Sequence, residues 1–356
     1  HIRRQRQMCI RDRSRRDPRK ARQGAPLADH QAAFMKLPQL AVVLTLGLAA
    51  MLLLSISHGS VAIPFRDVVA LLLHPDDSAW SRILWELRLP RALFAFVIGG
   101  SLALAGVLMQ ALLRNPLADP YILGTSGGAA TAMLIAFLLS APLALQPLMA
   151  LAGAAFSTLL LLSFTGLRSG LRQQQLVLAG IILTTGWGAV ITFLLTAAPA
   201  ARIPGMLFWL IGDLGESSAL LLPTSVLAVA AVAALLLAKP LDVMLLGDRQ
   251  AASLGVPVHA LRLLLLAVAV GVTAVAVASA GPIGFVGLVT PHLVRLATGA
   301  GHRRLIPASL LLGGLLMMAA DLLSRTIIAP RQMPVGVFTA IIGVPVFLLL
   351  LKRSQR

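Results

Sequence analysis

The chain has 356 residues, 58% of them hydrophobic and 12% charged, with a formal net charge of +17 and a mean hydropathy of +0.89. Soluble domains carry about 25% charged residues, so this composition excludes an ordinary soluble protein and indicates an all-α polytopic membrane protein. A single cysteine, Cys9, excludes an intrachain disulfide and any cysteine-rich metal site.

The positive charge is unevenly spread, which argues against nucleic acid as the partner. Residues 1–34 hold ten Lys/Arg and three acids. Within them Met8-Cys9-Ile10-Arg11-Asp12-Arg13 resembles translated adapter sequence, and Met35-Lys36 ahead of an apolar run reads as a natural start. Residues 1–34 are therefore expected to be a non-native or disordered basic extension, and residues 35–356 one transmembrane domain. Apolar runs long enough to cross a bilayer need about 20 residues at 1.5 Å rise. They fall at 38–57, 90–112, 121–140, 146–166, 174–197, 219–238, 260–279, 283–298, 305–325 and 334–351. The eighth is short and interrupted by Pro291. With the N-terminus inside, thirteen Lys/Arg after residue 34 fall on the inner side and seven on the outer. That bias predicts N-in and C-in, as an even number of crossings also requires.

Taken in order, the first informative run is 88–128, which opens with Arg88 and Arg91 at a membrane edge and closes on Arg114-Asn115-Pro116. Arginine is costly at the bilayer centre but can meet an aqueous partner at the edge. The run thus reads as a crossing with an exposed basic face at one end, although snorkelling to headgroups would place the same arginines. The inner loop Lys239–Arg262 is the most polar between crossings. Within it Asp248–Leu254 can form a short helix, with Gly247 before it and Gly255 past it. Gly281-Pro282-Ile283-Gly284-Phe285-Val286-Gly287 forces a helix break or very close packing. Asp321 is the one carboxylate inside an apolar window. It lies four residues before Arg325, so an ion pair on one helix face is expected, with a proton relay as the other use.

The missing motifs narrow the function. The lysines are Lys20, Lys36, Lys239 and Lys352, and none follows a glycine, so the chain has no nucleotide-binding P-loop. No paired intramembrane carboxylates mark an ion site or a catalytic pair, as a secondary transporter or an intramembrane enzyme would need. The histidines are scattered, and His292 beside Pro291 reads as a packing residue, so no metal site is expected.

Several ordered strings resemble the FecCD-type permeases, the membrane subunits of ABC importers for iron-siderophores, haem and vitamin B12. They are Arg88-Leu89-Pro90-Arg91, Gln110–Leu117, Leu123-Gly124, Leu246–Val256, Gly281–Leu293, Ala320-Asp321 with Arg325, and Pro334–Pro345. The resemblance implies the type II importer permease fold of ten helices, in a homodimer within the bacterial inner membrane. It implies a translocation path between the copies; small and apolar side chains of the fifth window, Gly180–Thr196, are expected to face that path. It also implies two cytoplasmic ATPase subunits that hold ATP and Mg, a periplasmic substrate-binding protein, and no catalysis or cofactor on this chain.

By the same resemblance Arg88, Arg91 and Arg325 match arginines that receive acidic residues of the binding protein. Gly247, Asp248, Arg249, Ala251, Leu254 and Gly255 match the helix that couples to the ATPase. Asn115 and Leu117 match the inner gate of the vitamin B12 members. Gln173 and Gln174 stand, with Arg172, at a second gate where those members carry small hydroxyl residues. Ion-coupled secondary transport is the alternative function.

Overall fold

The computed structural model describes residues 37–59, 63–165, 173–215 and 220–354; the expected extension 1–34 lies outside the described residues. Helix α1 is Leu37–Ser57 and α2 is the short amphipathic Phe65–Leu73. Helix α3, Ala79–Leu112, is the axis of the molecule. Ser78 caps it by accepting the Ser81 amide at 3.1 Å. A π-helical turn, Ile83–Arg88, comes just before Pro90. Proline has no amide and its ring clashes with the carbonyl four residues back, and a wider turn there relieves both defects without ending the helix.

A helix apolar all round belongs in an interior. The apolar part of helix α3 is accordingly buried, 89% of its most hydropathic window being covered. Around it pack α1, α8 (Leu221–Leu236), α11 (Val258–Ala280), α12 (Val286–Thr298) and α13 (His302–Thr326). Lipid gives no hydrophobic drive between helices, so contact depends on close backbone approach at small residues. A methyl on Gly99 would overlap the Gly313 carbonyl of α13, and one on Gly106 would overlap the Gly287 carbonyl of α12.

A second group joins α4 (Thr125–Leu138), α5 (Gln146–Thr165) and α6 (Gln173–Ala197). The Trp187 indole N–H donates to Ser157 Oγ at 2.8 Å, and that hydroxyl donates to the Gly124 carbonyl at 2.8 Å, which fastens α6 through α5 to the start of α4. Elsewhere α6 is bare, with only 11% of its window covered. The remaining helices are α7 (Ile203–Ile211), α9 (Ala238–Met244), α10 (Asp248–Ser253) and α14 (Val335–Ser354).

Every expected window contains a helix, but not every helix spans. Among the described residues six are long and apolar enough to cross singly, and α8 with α9, bent by 59°, makes up to seven. Two windows hold only 14 and 13 helical residues, in α4 and α12. Their first turns are lost to helix breakers. Pro120–Leu123 forms a 3-10 turn that ends on left-handed Gly124, and Gly281–Phe285 is unwound. The expected interruption at Pro291 is corrected: α12 runs through that proline, and the break lies ahead of it. Tyr121 stitches the two unwound segments together, its hydroxyl donating to the Ile283 carbonyl at 3.1 Å and accepting the Ile283 amide at 3.0 Å. Helix α7 has no counterpart among the expected elements, being nine residues long.

Candidate functional site

Two charged clusters sit at opposite ends of α3. Arg91 and Arg114 are 23 residues apart in the sequence, about 34 Å at the rise of an α-helix.

The outer cluster is built on Asp321, which is 0% exposed. Arg91 Nε donates to its Oδ1 at 2.9 Å, and Arg325 Nε lies 2.9 Å from Oδ2 as the expected i, i+4 pair. The second contact is Coulombic only, because the Arg325 Nε–H is not aimed at the oxygen. Arg325 Nη2 turns to Ser55 Oγ at 2.8 Å, and Arg91 Nη1 to Gln332 Oε1 at 2.9 Å. Arg88 Nη1 donates to the carbonyls of Ile56 and Ser57 at 2.8 and 2.9 Å. Those carbonyls belong to the last turn of α1, where a helix has unsatisfied acceptors and the negative end of its dipole.

The sequence reading gives these arginines an exposed basic face. The structure instead covers Arg88 and Arg325 and leaves the Arg91 side chain 12% exposed. Two guanidinium groups, those of Arg91 and Arg325, meet the one Asp321 carboxylate, and that of Arg88 is held on the α1 carbonyls. This cluster of three arginines and one carboxylate thus keeps a net positive charge even though its arginines serve the chain's own α1 and α13.

The inner cluster holds the loop between α8 and α11. Asp248, the first residue of α10, accepts from Arg114 Nη2 and from Arg262 Nη2, the latter at 2.9 Å. Asp242 accepts the His302 amide at 3.0 Å and meets His302 Nδ1 at 2.6 Å. An ionised carboxylate can only accept, so Nδ1 is the protonated ring nitrogen. Gly247 and Gly255 bracket α10 at φ 118° and 81°. At its end the Gly255 amide bonds to the Ala252 carbonyl and the Val256 amide to the Ala251 carbonyl, each at 3.0 Å. This Schellman arrangement needs a left-handed residue after the cap. Ala251 is buried and anchors the helix, while Leu246, Arg249 and Leu254 face outward.

Beside Arg114, Asn115 and Leu117 are both exposed, and Asn115 Oδ1 accepts the Leu117 amide at 2.9 Å. Gln174 is exposed at the start of α6; Arg172 and the Gln173 side chain lie outside the described residues. Among the described residues no group of three or more His, Cys, Asp or Glu could hold a metal ion.

The FecCD transport family matches residues 47–353. The chain belongs to that family. It is 39% identical over 320 residues to the Fe(3+) dicitrate transport system permease protein FecD of Escherichia coli (strain K12), covering 89% of this chain and 99% of the relative. It is 40% identical over 305 residues to the vitamin B12 import system permease protein BtuC of Vibrio cholerae, covering 83% and 91%. Among solved structures, a chain from a transporter assigned to the metal-chelate type of ABC transporters, in an inward-facing conformation, superposes with a TM-score of 0.78 at 28% identity. That match covers 89% of this chain and 99% of the other. The family resemblance carried by the sequence motifs is thus correct, as is its helical permease fold.

Within this FecCD chain the sequence motifs and the observed clusters only partly coincide. Arg88, Arg91 and Arg325 gather at one end, as do Asp248 and Asn115 at the other. Sequence reasoning missed Gln332, Ser55, Arg114, Arg262, Asp242 and His302, all of which hold the clusters together. Only the polar break at Arg114 signalled one of them beforehand.

Proposed function

We propose that this chain is the membrane-spanning subunit of an ABC importer in a bacterial inner membrane, moving a metal held in an organic ligand: an iron-siderophore, haem or a corrinoid. Two copies would enclose the path between their bare α6 helices. Two separate ATPase chains would hydrolyse ATP with Mg, and a periplasmic binding protein would deliver the cargo. The observation that carries this reading is the inner loop. A short helix is tied to the bundle at its first residue, Asp248, with the segment before it held through Asp242, and it presents Leu246, Arg249 and Leu254 outward, as a handle for a motor on a chain with no P-loop.

At the outer end, Arg91 is the arginine placed to meet a carboxylate of the binding protein. Arg88 and Arg325 support it by fixing α1 and Asp321 and by adding positive potential, which steers an acidic partner. Asn115 and Leu117 serve as inner-gate residues at the mouth of the path, with Gln173 and Gln174 as residues of a second gate.

The test is uptake into proteoliposomes that hold this chain, its ATPase and its binding protein. The expected result is uptake of one of ferric siderophore, haem or cobalamin that requires ATP and both partners. Uptake by this chain alone, driven by an ion gradient, would overturn the proposal in favour of secondary transport.

A further inference from the structure

The inner cluster places two regions of this chain in direct contact: the short helix assigned to the motor and the turn assigned to the gate. Asp248 Oδ1 accepts from Arg114 across 134 positions of sequence. Arg114 is the residue immediately before Asn115, in left-handed backbone with φ 44°. From there the turn closes on itself. The Asn115 amide bonds to the Gln110 carbonyl at 3.1 Å and the Ala118 amide to the Asn115 carbonyl at 3.0 Å. With Leu117 held by Asn115 Oδ1 and Ala118 fully buried, residues 114–118 form one unit on the end of α3. The other partner is equally stiff, since α10 is anchored by Ala251 and ended by its Schellman turn.

The energetics favour a linking role over a stabilising one. The Asp248 side chain is 46% exposed and that of Arg114 is 25% exposed. Ion pairs as open as this add little to folding stability. They do set geometry, because a guanidinium with fixed donors gives a carboxylate a defined position. Arg262 supplies the internal comparison: it grips the same Oδ1 from the second turn of α11 and is not itself part of the gate turn.

We propose that Arg114 is a positioning residue that carries movement of the α10 helix to the Asn115–Ala118 turn, so that the motor helix and the inner gate move as one body. The proposal rests on the permease reading above. Its test uses the complete complex in proteoliposomes, measuring cargo imported per ATP hydrolysed. Arg114→Asn is the chosen variant because asparagine tolerates left-handed backbone. It is expected to co-purify with the ATPase and hydrolyse ATP, yet to move about tenfold less cargo per ATP, within the usual range of a coupling between sites. Asp248→Asn should behave alike, Arg114→Lys should keep much of the coupling, and Arg262→Gln should lose less of it than Arg114→Asn.

An unchanged ratio in Arg114→Asn, or an equal loss in Arg262→Gln, overturns the link. Should Arg114→Asn fail to assemble, spin labels at Leu117 and Gln250 in the otherwise wild-type complex decide the matter. Their separation should stay constant between nucleotide states, and a change in it overturns the proposal. Wild-type vesicles with no ATP-dependent uptake would remove the permease reading and this link together. Wild-type uptake with unaltered coupling in Arg114→Asn would remove the link alone.

Discussion

Replacing Asp321 by asparagine probes the outer cluster most directly. The side chain is fully buried and holds Arg91 and Arg325 at 2.9 Å each. At that separation each pair has a gross attraction of about 6 kcal/mol for an effective dielectric near 20. Most of this only offsets the cost of taking the charges out of water. The loss on mutation is larger than the net worth of the pairs, because two arginines are left beside each other with no counter-charge. Breaking a buried pair in this way costs about 3–5 kcal/mol. In a chain of this size roughly 1 kcal/mol moves the unfolding midpoint by about 2 °C, so the expected fall is on the order of 6–10 °C. Thermal unfolding of the detergent-solubilised protein reads it. The double variant Asp321→Asn with Arg325→Met should recover part of the loss, since it removes one orphaned charge. A fall of less than about 2 °C in the single variant would refute the view that Asp321 holds the ends of α3 and α13 together.

Other consequences follow from particular contacts. Tyr121→Phe removes a hydroxyl that both donates to and accepts from Ile283, and it should lower stability by about 1–3 kcal/mol in the same unfolding assay. Gly106→Ala puts a methyl into the Gly287 carbonyl of α12, so the helices must separate; loss of the monodisperse species in size-exclusion chromatography is the expected readout. Asp119, in the break between α3 and α4, has its carboxyl pushed up to about 6 by burial, against the opposing amide of Tyr121. A carboxyl raised above its unfolded value binds its proton more tightly when folded. The contribution of this group to stability is therefore fully present below about pH 4 and is lost as pH rises through about 6, by at most about 3 kcal/mol. Asp119→Asn should flatten that slope, and an unchanged pH profile would count against the reasoning.

Much of the fold was legible because bilayer thickness dictates the length of an apolar run, and every such run became a helix. The Asp321–Arg325 pair and the α10 helix were legible for local reasons, one from helical spacing and the other from a glycine at each end. What failed was anything set by a partner far along the chain. Arg91 reaches Asp321 across 230 positions, and nothing in the sequence near either residue records it. Arg88 sits at a membrane edge, where facing water is the simple expectation, yet the free carbonyls at the end of α1 bind it first. Helix α7 was missed because nine residues cannot register in a search for spans of about twenty. The short α4 shows the reverse error: its window was read from residue 121, whereas the backbone stays in a 3-10 turn through Leu123 and the helix begins at Thr125.

The two clusters are not independent, because the same two helices end in both. Helix α13 has His302 at its start, bound to the Asp242 carboxylate, and Asp321 and Arg325 near its finish, bound to Arg91 and Ser55. Helix α3 carries Arg88 and Arg91 near one end and is followed at the other by Arg114, bound to Asp248. Between these ends the helices meet at Gly99 and Gly313, where neither has room for a single added methyl. Close-packed interiors transmit displacement instead of absorbing it. A shift of α3 along α13 would have to break the Arg91–Asp321 pair and slide the Gly99–Gly313 contact, whereas a shift of the pair as one body breaks none of the contacts between them. The segments able to absorb such a movement are the breaks ahead of α4 and α12, Pro120–Gly124 and Gly281–Phe285, joined by one tyrosine hydroxyl. Rigid-body movement about those breaks is therefore the low-cost way for this chain to change shape.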